Sequence, residues 1–311
     1  MVIVYHKMEN YSRLVMIRSL QYNGRTTKQG GRMMSTSIFQ DTMVMDNWKD
    51  VEKAGNENRK ILFPIGVIEE HGPHISLGSD ILWSCAICRM VKEKLKEYGC
   101  ESVIAPPYYW GVNYCTGAFP GSFSLKPATM RLVLLEIFEN LKNFGFSEIY
   151  CFNYHGDSRH IGAIVDAIRE ANTHMGLRAK LVLESMDLSL HGWTGEEDFL
   201  LVSDPKYPME WFDEQDPSEA GKLDIHAGAF ETAVLKYLYP DQVDLELAKT
   251  LPSSSLNREG MRKWLQGGES TKEVVPLGYA GNPAGYDAVS RHVKEMLELQ
   301  VEDIAGRISK L

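Results

Sequence analysis

The sequence predicts an α/β protein of three layers, αβα, with a mostly parallel central sheet covered by helices on both faces. Three observations lead there. Short apolar runs alternate with longer amphipathic segments from residue 61 onward, the order of strand–helix–strand units. The first run, "ILFPIGV", is apolar enough to be buried on both faces, as a strand inside a parallel sheet must be. Glycines at 99 and 145 close two of the amphipathic segments, where a left-handed residue commonly ends a helix.

Taken in order, "ILFPIGVI" (61–68) reads as the first strand. A helix follows over Asp80 to Tyr98, with Ile81, Ile87, Val91 and Leu95 turned inward and Gly99 as its stop. "SVIAPP" (102–107) is the second strand, and "PATMRLVLLEIFENLKNFG" (127–145) the second helix, opened by Pro127 and closed by Gly145. "EIYCFNY" (148–154), "RHIGAIVDAIREANTHMG" (159–176) and "AKLVLES" (179–185) complete a run of four strands and three helices. Residues 189–222 break this rhythm: they are acidic, punctuated by prolines, and carry two tryptophans. They read equally as a surface insertion or as a lid over a site. A helix resumes at "AGAFETAVLKYLYP" (227–240), and residues 287–311 form an amphipathic closing helix. Residues 1–40 read as an N-terminal arm, and 41–311 as a single α/β catalytic domain with the lid-like insertion at about 189–222.

Composition narrows the function classes. A chain of 311 residues with 44% hydrophobic and 24% charged positions can bury a large core. A net charge of −9 argues against nucleic acid or an anionic membrane as a partner. No apolar stretch approaches the roughly 20 residues of a membrane span, and the first residues lack the continuous apolar region of a signal peptide. Five cysteines, an odd number set in apolar segments, suggest reduced thiols and a cytoplasmic protein. Cys85 and Cys88 form a C-x-x-C, but inside a helical pattern and without a second pair, so they read as buried helix cysteines.

The chemistry concentrates in two stretches. "IEEHGPHISLGSD" (68–80) leaves the first strand and at once presents Glu69, Glu70, His71, His74 and Asp80, with Gly72, Pro73 and Gly78 to fold the chain back. "NYHGDSRH" (153–160) leaves the third strand. In an open parallel sheet both loops lie at the carboxyl edge. Together they offer Glu69, His71, Asp80, His155 and Asp157, a mixture of imidazole and carboxylate suited to zinc or manganese. Five ligands exceed the needs of one catalytic ion; two divalent ions sharing a bridging carboxylate use them naturally.

These stretches resemble the creatininase (creatinine amidohydrolase) family. "PIGVIEEHGPHISLGSD" is similar to its opening signature P-x-G-x-x-E-x-H-G-P-H-x-P-L-x-x-D, "FPGSFSL" to its F-P-G-T segment, and "FNYHGDS" to its N-G-H motif. "DIHAGAFETAVLKYLYPDQVDL" resembles its H-x-G-x-x-E-T stretch, and "GYAGNP" its late G-x-x-G-x-P turn. The matches run from residue 61 to about 285 in the family's order. The resemblance implies a creatininase-like fold in which Glu69, Asp80 and His155 hold one ion and His71, Asp80 and Asp157 the other, with Asp80 bridging. Glu184, at the end of the fourth strand, is the rival to Asp157 for the second ion.

The same resemblance makes His226 the catalytic histidine that carries a proton to the departing nitrogen. Glu231 either pairs with His226 or braces a helix start. His74 falls in the shell behind the ligands. Thr116 stands where relatives often have histidine, Lys222 replaces a pocket tryptophan four residues before His226, and Trp193 is aligned with the other lid tryptophan. Loss of an aromatic wall and gain of an ammonium disfavour a flat neutral ring such as creatinine. The implied activity is metal-dependent hydrolysis of a C–N bond in a small cyclic or linear non-peptide amide. Deformylation of a formamide on a pyrimidine-type intermediate, or metal-stabilised binding without catalysis, are the alternatives. The family also implies a homo-oligomer, a hexamer. The apolar clusters "VIVY" and "LVMI" of the arm are expected to anchor it on a neighbouring subunit or as an edge strand.

Overall fold

Successive residues along each strand turn to opposite faces of one sheet and residues two apart share a face, and that alternation builds the three layers. A computed structural model of the chain describes residues 37–212, 223–254 and 256–311. Its sheet has five strands, β1 (Lys60–Ile65), β2 (Ser102–Ile104), β3 (Glu148–Asn153), β4 (Arg178–Glu184) and β5 (Leu200–Ser203). They run in the order β2-β1-β3-β4-β5, and every pairing is parallel. The described helices are α1 (Trp48–Asn56), α2 (Ser79–Glu97), α3 (Pro127–Asn143), α4 (Ser158–Met175), α5 (Leu188–His191), α6 (Ala229–Leu238), α7 (Leu245–Ala248), α8 (Arg258–Trp264), α9 (Glu269–Val274), α10 (Tyr286–Ser290) and α11 (Val293–Ile308).

Leu62, Tyr150, Phe152 and Val182 point to one face, where α2, α6 and α11 cover them with Ile87, Val91, Leu235, Val301 and Ile304. Ile61, Phe63, Ile149, Cys151 and Leu181 point to the other, under Ala54 of α1, Phe138 of α3 and Ile164 of α4. The register that sets these faces aligns Leu62 with Ile104 and Tyr150, and Cys151 with Leu181. Gly99 and Gly145 follow their helices with φ of 71° and 99°, as their expected stopping role requires. The five cysteines are free, and no helix among the described residues is long and apolar enough to cross a membrane.

Two elements depart from the sequence expectation. The 189–222 stretch contains the fifth strand, hidden because Leu200–Ser203 is only four residues long and follows a run of acids. The closing helix is two helices, α10 and α11, separated at Arg291–His292, a break that lets both Tyr286 and Val293 reach the core. The arm's expected anchors, "VIVY" and "LVMI", lie outside the described residues, as do residues 213–222 of the lid-like stretch. By Ser37 the chain is tied to α2, whose Arg89 donates to the carbonyls of Ser37 at 2.7 Å and Gln40 at 3.2 Å.

The strand order positions the functional edge. From β1 the chain steps to β2 on one side, and β3 then adds on the other, so the loops after β1 and β3 diverge and leave a crevice between them. Gly66 begins the first of these loops against α2: a Cβ there would lie 2.8 Å from the Ile81 backbone. Gly66→Ala is expected to push α2 off the sheet and cost about 1–3 kcal/mol, measured as a lower urea midpoint. An unchanged midpoint would show that α2 is free to shift.

Candidate metal centre

After β1 the chain folds back on itself. Glu69 N–H donates to the Leu77 carbonyl at 2.9 Å, and Gly72 takes φ 63° at the tip. This returns Asp80, in the first turn of α2, to the same crevice as Glu69 and His71. His155 enters from the β3 side and His226 from the segment before α6. All five are buried.

Their polar atoms converge. Glu69 Oε2 lies 2.9 Å from His155 Nδ1, and Asp80 Oδ2 lies 3.2 Å from the same nitrogen. Asp80 Oδ1 is 3.1 Å from His71 Nε2, which also has Glu231 Oε2 at 3.7 Å. The His71 and His226 rings sit 4.4 Å apart. Two donor groups have ligand atoms mutually within 4.8 Å: Glu69, Asp80 and His155, and Glu69, His71 and His226.

Each imidazole is held by a main-chain carbonyl, which can only accept and therefore fixes which nitrogen carries hydrogen. His155 Nε2–H donates to Val112 O at 2.9 Å, His71 Nδ1–H to Glu69 O at 3.2 Å, and His226 Nε2–H to Glu70 O at 2.8 Å. The opposite nitrogens of His155 and His71 are the ones that face the carboxylates, and Nδ1 is left to His226. A metal-ligating histidine is oriented in this way.

The electrostatics ask for a cation. Burial would depress the imidazolium of His71, but Asp80 lifts it to about 9. Burial acts likewise on His226, where Glu69 and Glu70 raise it to about 10. Burial is again outweighed at His155, which Glu69 and Asp80 hold well above the ordinary range. Burial opposes charge on Asp80 and Glu69 too, yet the neighbouring imidazoles keep both carboxyls below their usual values. Asp80 Oδ2 has no aligned hydrogen-bond donor. The crevice thus favours positive charge, and its mixed nitrogen and oxygen donors suit zinc or manganese.

Several expected residues have other occupations. Asp157 caps α4, with Oδ1 accepting from Arg159 N at 2.8 Å and Oδ2 from Tyr114 N at 2.7 Å, and it joins neither donor group. Its oxygens are engaged by main-chain donors. Glu184 accepts from Tyr207 and Gln300 at the end of β4 and is likewise in neither group. Thr116 is fully buried and donates to Glu69, so it steadies that carboxylate rather than lining substrate space.

Glu231 accepts from Ala227 N at 2.6 Å and has His71, not His226, as its close ion-pair partner. The turn at Ala227, φ 49°, swings α6 so that the carboxylate reaches back over residue 227. His74 donates from Nε2 to Thr232 Oγ1 at 3.0 Å, pinning the loop to α6 behind the ligands; burial and the neighbouring His71 push it down to about 4. Trp193 packs on His191 and Phe199 beside the core on the α3–α4 face. Lys222 lies outside the described residues.

The sequence reading missed the carbonyls of Val112 and Glu70, which no side-chain pattern announces. His160 of α4 is fully buried, and its ring sits edge-on to His155 at 5.0 Å. Its spacing of five from His155 on a loop-to-helix turn was the available signal.

Residues 46–308 match the sequence profile of the creatininase family, described as creatinine amidohydrolase. The creatinine amidohydrolase of Pseudomonas putida is 26% identical over 230 residues, 68% of this chain and 76% of that protein. A mycofactocin precursor peptide peptidase of Mycolicibacterium smegmatis is 27% identical over 257 residues, 80% of this chain and 84% of that protein. A crystal structure of creatininase shares the fold at a TM-score of 0.59 and 23% identity, covering 89% of this chain and 98% of that one. A manganese form of creatininase and a mutant creatininase of Zn-Zn type share the fold at TM-scores of 0.56 and 0.57, with 21% and 22% identity.

Proposed function

This chain belongs to the creatininase family, and on that premise we propose that it is a metal-dependent amidohydrolase that cleaves the C–N bond of a small amide at two divalent ions, zinc or manganese. One observation carries the reading: three buried imidazoles, each locked by a main-chain carbonyl, meet the carboxylates of Glu69, Asp80 and Glu231 in one crevice. Glu69, Asp80 and His155 would hold one ion; His71 and Asp80 would hold the other, so that Asp80 is shared. The carboxylate still needed by the second ion is offered by Glu231 beside His71 Nε2, in place of Asp157.

When bound, such a pair polarises a carbonyl and makes water acidic enough to attack near neutral pH. The chain's own residues do the rest. Glu69 is steadied by Thr116, and His71 and His155 by their carbonyls, so the donors need little rearrangement on binding. His226, its Nε2–H tied to Glu70 O, keeps Nδ1 to take a proton and return it to the departing nitrogen. Trp264, with its ring 5.4 Å from that of His226, helps keep bulk water from the exchange.

The names of the relatives support the amide class. The peptidase match, which covers more of this chain than the creatinine amidohydrolase match, supports a peptide-derived amide as a second reading. Zinc- or manganese-loaded protein tested on lactams, hydantoins, formamides and short peptides should hydrolyse one class and spare the rest. Loaded protein that turns over none of them would sink the catalytic reading.

Metal counting separates the two carboxylates. Asp157→Asn should keep both ions while its weakened cap and loop contact lower the melting temperature. Glu231→Gln should lose one ion per chain. The reverse pattern would restore Asp157 as a ligand.

A further inference from the structure

We propose that His160 is a positioning residue of this centre: acting through Val112, it sets the tautomer in which His155 meets the ion. The inference rests on the metal reading above.

Val112 N–H donates to His160 Nδ1 at 3.2 Å, and Val112 O accepts from His155 Nε2 at 2.9 Å. An N–H can only donate, so Nδ1 of His160 accepts and its Nε2 carries the hydrogen. That Nε2 is buried and has no partner. A leucine would fill the same fully buried space without stranding a polar group, so packing alone does not account for an imidazole there. The acceptor at Nδ1 does.

The two peptide planes that meet at Val112 are pinned separately. His160 holds the plane between Gly111 and Val112. The plane between Val112 and Asn113 is held by Asn113 N–H, which donates to Ser124 Oγ at 3.0 Å. Its carbonyl end is the acceptor for His155. Gly111 lets His160 approach this closely, since a Cβ at 111 would fall 2.4 Å from the ring.

The bracket continues along the loop. Tyr114 N and Cys115 N donate to Asp157, and Thr116 donates to Glu69. Residues 112–116 therefore tie the ligand loop after β1 to the ligand loop after β3. With His160 in place, His155 has one nitrogen occupied and offers Nδ1 alone to Glu69, Asp80 and the ion. Without it, Val112 O can rotate, and His155 can carry its hydrogen on the wrong nitrogen.

The test uses the full chain, with zinc as the probe and a chromogenic chelator in competition. His160→Leu should weaken zinc binding by about 10–100-fold, the usual size of an outer-shell loss. His160→Asn, whose side-chain oxygen falls near the position of Nδ1, should recover most of that affinity. Ser124→Ala, a surface change that leaves the core intact, should give a smaller loss through the other peptide plane. Nitrogen-15 spectra of zinc-loaded, histidine-labelled wild-type protein should show His155 protonated at Nε2, with a second tautomer appearing in His160→Leu. Wild-type affinity in His160→Leu, an Asn variant as weak as the Leu variant, or His155 protonated only at Nδ1 in wild type would each overturn the proposal. If wild-type protein bound no zinc, the metal reading would fall and this proposal with it, whereas zinc bound equally well by wild type and His160→Leu would sink this proposal alone. Should His160→Leu fail to fold, the Ser124→Ala affinity and the wild-type spectrum decide instead.

Discussion

Asp80→Asn should strip the protein of both ions and slow amide hydrolysis by about 10³-fold or more, several kcal/mol of lost Lewis-acid stabilisation. Asp80 reaches both sides of the crevice, with Oδ1 on His71 and Oδ2 near His155, while Glu69 belongs to both donor groups. Asparagine keeps its shape and removes its charge, so no cavity confuses the result. A second effect follows in the metal-free protein. His71 and His155 lose a buried counter-charge, and breaking a buried pair costs about 3–5 kcal/mol. The metal-free variant should therefore melt well below the metal-free parent. Elemental analysis, rate and melting temperature are read on the same preparation. Two ions per chain and the parental rate would remove Asp80 from the centre altogether.

His226→Ala should leave the metal content unchanged and still cost about 10²–10⁴-fold in rate, the range of a general acid–base contribution. The geometry makes this a sharp test, because His226 also belongs to a donor group with Glu69 and His71. A ligand and a proton carrier fail differently. Loss of one ion together with the rate would make His226 a ligand. Full activity with both ions would leave the departing nitrogen to be protonated by another group. The effect should be largest on amides with poor leaving groups, where that proton is needed most.

Much of this protein is readable from its local patterns. The strand–helix alternation, the glycine stops and the carboxyl-edge placement of two polar loops follow from short-range rules of period and capping. Glu69, His71 and Asp80 fall within twelve positions, and a strand–loop–helix unit has few ways to arrange them. His155 was legible because it leaves a neighbouring strand at the same edge.

What local pattern left open shares a cause. Asp157 precedes a helix start, so the same residue type in the same place suits a cap and a ligand equally. What decides is the supply of main-chain donors from Tyr114 and Cys115, over forty residues away. Glu231 was expected to pair with His226 or brace a helix start; its carboxylate accepts from Ala227 N and lies 3.7 Å from His71. Thr116 looked like pocket wall and proved to be a brace for Glu69. β5 stayed hidden because a run of only four residues becomes a strand only when β4 offers it an open edge. The sequence by itself determined the layers, the crevice and the donor types. Tertiary structure alone decided which oxygens and nitrogens remain free to meet an ion, because main-chain carbonyls and N–H groups distant in sequence claim the rest.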